Sequence, residues 1–407
     1  MATPSRVDQL TADPKRLRNA RVAVAACFFT NAVFFANLVP RLPEVKEHLG
    51  LSNSSFGAAL ATFPIGSLLA ALWAAALIRR LGSARVASFG LVLLGAATWA
   101  VSVVPNWGAL AAVLLVGGAL DAFIDVAQNG HGLRVQRLYD RSILNSFHGV
   151  WSIGAVAGGL LGSAAAGLAI PLPLHLGVST VLFGALALVS YRGLLPGPDD
   201  ADLEEAPDLD TSAAPPATRR SALRVLAALG ALSACGVFVE DAGASWSALY
   251  LRNDLAAGAA VAGLGFVALQ GAMTVGRLTG DRVVDRFGQR RVVRAGGLLI
   301  AAGMGLALAF PSVPSTLIGL ALAGLGVATL IPAVFHAADE LPGLPRGLGL
   351  AVSNWLLRIG FLVSPLLIGY LADAISLRVA LVTVVLGGLG AVVLGRFLRT
   401  TVSATAG

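Results

Sequence analysis

Long apolar stretches alternate with short charged clusters along the whole chain, and this alternation limits the possible folds more than any other feature. Only 13% of the 407 residues are charged, whereas soluble proteins carry about 25%. A helix that crosses a bilayer needs about 20 apolar residues. We therefore expect an all-α membrane protein of about 12 transmembrane helices, at residues 22–40, 54–78, 86–104, 108–131, 144–169, 174–191, 222–245, 259–280, 291–310, 315–337, 348–372 and 377–397.

A polar stretch near the middle of the chain predicts two domains. Residues 196–220 are acidic, rich in Pro and Ala and without hydrophobic periodicity, which is typical of a flexible linker. We expect a six-helix bundle on each side of a cytoplasmic linker, with the N-terminal bundle at residues 1–195, the linker at 196–220 and the C-terminal bundle at 221–407.

The two halves also share short matching sequences at a constant offset. The tripeptide Arg80–Gly82 aligns with Arg286–Gly288, and Gly118 aligns with Gly324, each pair 206 residues apart. These matches fall in equivalent spans of the two halves. We therefore expect two pseudo-symmetric bundles with a binding site between them.

The basic residues predict the orientation of the chain in the membrane. Of the 29 Lys and Arg residues, 24 fall on the side that holds the N-terminus, and Arg358 alone is expected within a span. Positively charged loops stay in the cytoplasm. We expect both termini to be cytoplasmic in a bacterial inner (plasma) membrane. The basic residues are thus explained by membrane topology. We expect the lipid bilayer to be a partner of the protein and nucleic acid not to be one.

Ionisable side chains inside spans are costly and mark functional sites. The fourth span carries Gly117, Asp121, Asp125 and Asn129 at intervals of four, which places them on one helical face. A buried carboxylate can take up and release a proton near neutral pH. The candidates for proton coupling are Asp125 first, then Asp121, Glu240, Asp241 and His148. Structural hydrogen bonding is the alternative role for each.

Other intramembrane polar residues are candidates for substrate binding. We hypothesise that Arg358 pairs with Glu240, with Asp241 or with an anionic or polyhydroxyl substrate, although a permanent ion pair is an alternative. Amides suit substrate hydroxyl groups and aromatic rings stack on sugars, although both also pack helices together. The candidates are Asn31, Asn37, Asn129, Gln270, Asn354, Arg358, Trp151 and Trp246.

The sequence from Asp285 to Arg291, DRFGQRR, resembles the loop motif that follows helices 2 and 8 of the major facilitator superfamily. The resemblance implies that fold and a latch in which a carboxylate pairs with arginines and a facing helix end. The implied gating residues are Asp281, Arg282, Asp285, Arg286, Gly288 and Arg290. The first-half copy has Arg79 in place of the family's acid, so we expect an altered latch there.

Three further segments, FIDVAQN, NSFHGVWSIG and EDAGASWSALYL, resemble the sugar-permease-like branch that contains fucose permeases and YbjJ-type inner-membrane proteins. By this resemblance Asp125 occupies the place of a glutamate implicated in proton transfer. The first span lacks the aspartate of that branch. The implied function is proton-coupled secondary transport of a small polar, sugar-like solute by alternating access, in a monomer.

Other functions stay open at this point. The segment GAVAGGLLGS resembles a motif of superfamily exporters, with Gly159 in place of its proline, and so allows proton-antiport efflux of a drug or natural product. The pairs Asp121/Asp125 and Asp281/Asp285 allow, remotely, a Mg²⁺-dependent membrane prenyltransferase. The sequence contains no GxxxxGK[ST] motif for ATP binding, so we do not expect transport to be driven by ATP. We expect that the protein is not an enzyme and that it has neither a cofactor nor a metal site.

Overall fold

The protein is helical throughout the part that a computed structural model describes, namely residues 14–139, 143–197, 216–339, 341 and 348–398. No strand occurs among these residues. They include 12 helical stretches that are long and apolar enough to cross a membrane. Each of these stretches coincides with one of the predicted apolar segments. The expected all-α membrane class is therefore confirmed.

Several of these stretches consist of a long helix and a shorter one. The helices, in chain order, are α1 (Pro14–Leu38), α2 (Leu42–His48), α3 (Asn53–Leu81), α4 (Ser83–Ala100), α5 (Trp107–Tyr139), α6 (Leu144–Gly167), α7 (Leu172–Tyr191), α8 (Pro216–Leu249), α9 (Ala259–Phe287), α10 (Gln289–Ala309), α11 (Val313–Val327), α12 (Leu330–Asp339), α13 (Leu348–Ala374), α14 (Leu377–Ala380) and α15 (Val382–Leu394). A π-helical turn, Tyr250–Asp254, extends α8.

Contacts between residues divide the chain into two compact units. The first unit holds the described residues up to Arg41 and from Thr62 to residue 197. The second unit holds Leu42–Ala61 and the described residues from residue 216 onward. Helix α3 therefore begins in the second unit and continues in the first.

Tight turns between neighbouring helices depend on glycine. Gly82 separates α3 from α4 at φ 84°, and Gly288 separates α9 from α10 at φ 81°. Such positive φ angles are readily adopted only by glycine. The two glycines occupy the same place in the predicted repeat and have the same backbone conformation, with ψ 145° and 146°.

The repeat extends to helix packing within each unit. In the first unit, a Cβ added to Gly118 would overlap the carbonyl oxygen of Phe63. In the second unit, a Cβ added to Gly324 would overlap the carbonyl oxygen of Leu269 in the same way. Both members of the second pair lie 206 residues after those of the first. Equivalent pairs of helices in the two units therefore approach each other at equivalent glycines.

Helices α1 and α6 pack closely against each other in the first unit. Gly154, Gly158 and Gly162 of α6 face α1, and a Cβ on each would come within 2.6–2.9 Å of α1 atoms. Small residues allow backbones to approach in this way. This close packing brings the polar residues of α1 and α6 together.

Candidate functional site

Three helices of the first unit contribute to one hydrogen-bonded cluster. The Asn31 side chain on α1 donates from Nδ2 to Oδ1 of Asp121 on α5 at 2.9 Å. The Trp151 indole on α6 donates from Nε1 to Oδ1 of Asn31 at 2.8 Å. Asn31 is buried, whereas Asp121 and Trp151 are half-buried. The sequence marked all three residues as candidates, and the structure brings them into contact. We call them the amide cluster.

The predicted polar stripe continues along α5 beyond this cluster. Asp125, one turn after Asp121, is exposed and accepts a hydrogen bond at Oδ1 from Nδ2 of Asn129 at 2.9 Å. The same amide nitrogen also donates to the backbone oxygen of Asp125. Gly117, at the other end of the stripe, is buried. The stripe thus emerges from the protein interior at Asp125.

Two other candidates of the first unit have different surroundings. His148 is exposed on α6, and its ring contacts the Phe28 ring edge-on at 5.2 Å between centroids. Asn37 is completely buried and donates from Nδ2 to Oγ of Ser179 on α7 at 3.1 Å. This bond ties α1 to α7. It is separate from the amide cluster.

The second unit contains an ion pair between α8 and α9. Glu240 on α8 and Arg277 on α9 lie 3.9 Å apart, with 20% and 34% of their side chains exposed. The sequence interpretation counted Arg277 among the cytoplasmic positive charges, near the end of a span predicted to stop at residue 280. Helix α9 instead continues to Phe287. Arg277 therefore lies about 15 Å inside the helix end.

Asp241, next to Glu240, faces hydroxyl groups. Ser245 donates from Oγ to its Oδ1 at 3.1 Å. Its Oδ2 is enclosed and makes no hydrogen bond of good geometry among the described residues, with the Ser364 hydroxyl nearby. Serines thus surround this carboxylate, and no basic residue is among these contacts.

Two further candidates of the second unit are deeply buried. Trp246 has no exposed surface and Gln270 only 4%. The Nε1 of Trp246 and the Nε2 of Gln270 find no hydrogen-bond acceptor among the described residues. The Trp246 ring meets the Phe56 ring edge-on at 5.8 Å between centroids. Buried donors without acceptors are uncommon in proteins and call for an explanation.

The remaining candidates lie on helix surfaces. Asn354 is exposed and Arg358 half-buried on α13, one turn apart. The predicted gating residues Asp281, Arg282, Asp285 and Arg286 are exposed on the last turns of α9, and Arg290 is half-buried at the start of α10. The expected loop is thus reduced to Gly288. The latch itself stays a prediction.

The described residues contain twelve span-length helices, and several of these helices carry carboxylates or amides. These helices define a multi-pass membrane protein. The sequence profile of the Major Facilitator Superfamily matches residues 24–240 and 226–406. The chain belongs to this superfamily of transporters, as the sequence motifs predicted, and it is not an enzyme. The remote prenyltransferase alternative was therefore wrong. Among the described residues, no group of three or more His, Cys, Asp or Glu could hold a metal ion.

The chain is similar over most of its length to bacterial membrane proteins. An uncharacterized MFS-type transporter of Yersinia pestis is 30% identical over 368 residues, which cover 88% of this chain and 91% of the relative. The membrane protein MosC of Rhizobium meliloti is 29% identical over 370 residues, covering 90% and 87% of the two chains.

Solved transporter structures share the fold. A variant of the nucleoside transporter NupG superposes with a TM-score of 0.72 at 14% identity, covering 93% of this chain and 98% of NupG. A variant of FucP, the fucose:proton symporter of E. coli, superposes with a TM-score of 0.60 at 19% identity, covering 94% and 98%.

Proposed function

We propose that the protein is a proton-coupled secondary transporter of a small polar solute, with a sugar-like compound as the leading candidate, and that it works by alternating access as a monomer. The observation that carries this proposal is the amide cluster inside the helices of a transporter family member. Polar groups at such positions mark substrate and ion paths. Cytoplasmic termini in a bacterial inner membrane complete the proposal.

The composition of the amide cluster suits a ring that carries hydroxyl groups. The Trp151 indole offers an apolar face, and its N–H is held by Asn31. The Asp121 carboxylate accepts the Asn31 amide, and carboxylate oxygens are acceptors of the kind that bind substrate hydroxyls. NupG and FucP are described as transporters of nucleosides and of fucose, which contain sugar rings. This likeness supports a sugar-like solute.

Asp125 is the proposed proton carrier. It lies within a span, is not covered by protein, and accepts a hydrogen bond from the neutral amide of Asn129. A carboxylate within a span can take up and release a proton during transport, and this is the role proposed for Asp125. Asp121 and His148 are secondary candidates.

The ion pair of Glu240 and Arg277 in the second unit is proposed as a second charged group that takes part in transport. Glu240 and Arg277, at 3.9 Å, are too far apart for a hydrogen bond. A loose pair within a span can exchange partners with a proton or with an anionic substrate group. Asp241, Arg358 and Gln270 remain proposed members of the polar set around it.

Uptake into proteoliposomes with an imposed pH gradient tests the proposed function. The panel should contain sugars, nucleosides and drug-like cations, and each should be offered in both gradient directions. We expect gradient-driven uptake of at least one sugar-like compound by the wild-type protein and its loss in Asp125→Asn. Asp339→Asn, which changes an exposed carboxylate at the end of α12, is the matched control.

Three results would contradict the proposal. Equal gradient-driven flux in wild type and Asp125→Asn would remove Asp125 from the coupling. Flux that ignores the pH gradient would remove proton coupling. Transport of drug-like cations alone, driven by exchange for protons, would favour the efflux alternative.

A further inference from the structure

A carboxylate inside the second unit faces hydroxyl oxygens from two helices. Asp241 of α8 accepts a hydrogen bond at Oδ1 from the Ser245 hydroxyl, one turn further along the same helix, at 3.1 Å. The Ser364 hydroxyl of α13 lies beside this carboxylate and is completely buried. Neither Oδ2 of Asp241 nor Oγ of Ser364 makes a hydrogen bond of good geometry among the described residues. We call Asp241, Ser245 and Ser364 the acid–serine cluster.

The packing of α8 against α13 places the carboxylate opposite the Ser364 hydroxyl. A Cβ added to Gly360 of α13 would lie 3.2 Å from the Val237 side chain of α8. These helices belong to the seventh and eleventh span-length stretches, so they cross the membrane in the same direction. Asp241 and Ser364 each follow the Val237–Gly360 contact by four residues, about one helical turn. The register of the two helices therefore agrees with the observed neighbourhood of the two side chains.

Helix α13 offers a further oxygen next to the acid–serine cluster. Pro365 follows Ser364 and lies inside the helix. Proline has no N–H, so the carbonyl of Phe361, four residues earlier, does not receive the usual helical hydrogen bond. Residues three apart lie on the same face of a helix, so Phe361 and Ser364 share a face. One side of α13 therefore presents a hydroxyl oxygen and a carbonyl oxygen.

The carboxylate of Asp241 is not balanced by a positive charge among these contacts. The charged side chain next to it is Glu240, another acid. Glu240 lies 3.9 Å from Arg277 of α9, and successive residues of a helix point about 100° apart. An ionised carboxylate within a span is costly unless a cation pairs with it. A bound cation with a single charge would balance Asp241 and would also satisfy the buried oxygens around it.

We propose that the acid–serine cluster is a Na⁺ site. Hard cations take carboxylate, hydroxyl and carbonyl oxygens as ligands, so such a site requires no group of His, Cys, Asp or Glu residues. Carbonyl groups released at a break in a helix coordinate Na⁺ in other transporters. A divalent ion would leave a net positive charge beside one carboxylate. The close approach of α8 and α13 favours a small ion, so we expect Na⁺ to bind more tightly than K⁺.

The proposed Na⁺ site goes beyond the proposed function, which assigns proton coupling to Asp125 of the first unit. Binding of Na⁺ at Asp241 depends neither on the identity of the solute nor on coupling to protons. The two proposals can therefore fail separately. If both hold, each unit binds its own ion.

Thermal melting of the purified protein in detergent measures ion binding without any substrate. A ligand that binds the folded state raises the melting temperature in a saturable way. We expect about 100 mM NaCl to raise it by at least about 2 °C over choline chloride at equal ionic strength. The same concentration of KCl should raise it less. Equal melting temperatures in the three salts would show that water or a proton satisfies these oxygens, and would overturn the proposal.

Two variants locate the ion, each with a matched control. Asp241→Asn should abolish the Na⁺-dependent rise, because an amide carries no charge to pair with the ion. Ser364→Ala should increase the NaCl concentration needed for half of the rise about fivefold, since one ligand oxygen is lost. Asp339→Asn removes an exposed acid of α12, and Ser353→Ala removes another completely buried hydroxyl of α13. Both controls should keep the wild-type response to Na⁺.

Binding of radioactive ²²Na⁺ to the same protein tests the site directly. We expect wild type to bind one Na⁺ ion per chain, displaced by unlabelled Na⁺ more readily than by K⁺, and Asp241→Asn to bind none. A Na⁺ effect that persists in Asp241→Asn, or that is lost in Asp125→Asn instead, would place the ion elsewhere and overturn the assignment. If Asp241→Asn does not fold, an unchanged response in Ser364→Ala would overturn it equally.

Discussion

At the scale of single residues, Asn31 is the junction of the proposed site. Its amide nitrogen donates to the Asp121 carboxylate and its oxygen accepts the Trp151 indole N–H. An asparagine that both donates and accepts has its orientation fixed by its neighbours. The carboxylate and the indole are therefore held in a defined relation before any substrate arrives, which lowers the entropic cost of binding.

Replacing Trp151 by Phe keeps an aromatic ring and removes the bond to Asn31. One hydrogen bond contributes about 1 kcal/mol, so we expect KM for the best transported compound to rise about fivefold with a small change in maximal rate. Initial uptake rates over a substrate series measure this. Trp99→Phe, at an exposed ring of α4, is the control. An unchanged KM in Trp151→Phe would mean that the indole does not contribute to binding.

Glu240 and Arg277 make a prediction about stability. Removing one member of an ion pair within a span leaves the other charge uncompensated, whereas removing both does not. We expect Glu240→Gln and Arg277→Gln each to lower the thermal melting temperature. The decrease in the double variant should be smaller than the sum of the two single decreases. Arg282→Gln, at an exposed position of α9, should have little effect. Strictly additive losses would show that the pair is not coupled.

Sequence alone named the three residues of the amide cluster as candidates but could not show that they contact one another. The interval of four residues correctly placed Asp121 and Asp125 on one face of a helix. Their distance from Asn31 or Trp151 depends on how α1, α5 and α6 pack, which no local pattern contains. Arg277 was missed because its neighbours resemble a loop motif. The spacing of Gln270, Thr274 and Arg277 along one helical face was the available signal.

At the scale of elements, the contact between α1 and α6 holds the amide cluster together. Gly158 of α6 faces Val33 and Ala36 of α1, and an added Cβ would lie 2.9 Å from atoms of both residues. Real carbon atoms do not approach so closely, so a side chain here must push the helices apart. The geometry of the cluster therefore depends on glycine at this position.

Gly158→Ala tests this dependence. We expect a loss of about 1–3 kcal/mol in stability from overpacking, visible as a lower melting temperature, together with reduced uptake. Gly130→Ala on α5 is the control, since an added Cβ there has no atom within 4 Å. Ala favours a helix over Gly by about 1 kcal/mol, so the control should be neutral or slightly stabilising. Equal melting temperatures in both variants would contradict the packing account.

The elements themselves were predictable because the bilayer fixes their length. All 12 apolar segments correspond to helical stretches of span length. The ends were less predictable: α9 was expected to stop at residue 280 and continues to Phe287. A helix can extend past the apolar core of the membrane into the polar headgroup region, where charged side chains are tolerated. Hydropathy therefore locates a span better than it locates a helix end.

At the scale of the whole molecule, the positive charges predict an orientation that is open to a direct test. We expect green fluorescent protein fused after Gly407 to fluoresce and alkaline phosphatase at the same place to be inactive, because the C-terminus is expected in the cytoplasm. Phosphatase fused after Pro105, in the loop between α4 and α5, should be active. Active phosphatase at the C-terminus would reverse the predicted topology.

The family and the twelve-helix architecture followed from the sequence, but the grouping of Leu42–Ala61 with the second unit did not. Hydropathy and the linker composition predicted a boundary in the middle of the chain. Within the second unit, this segment contacts Asp373, which accepts the backbone N–H of Asn53 from 320 residues away. Such a contact leaves no periodic or compositional signal in either segment, so only the structure could show it.

Proton movement driven by substrate alone tests the central claim most directly. Wild-type proteoliposomes without a pH gradient should be given an inward gradient of the best transported compound while a trapped pH-sensitive dye reports the internal pH. Coupled transport through Asp125 predicts a pH change in wild type that Asp125→Asn abolishes, although solute still exchanges across the membrane. Substrate entry without a pH change in the wild-type protein would contradict proton coupling.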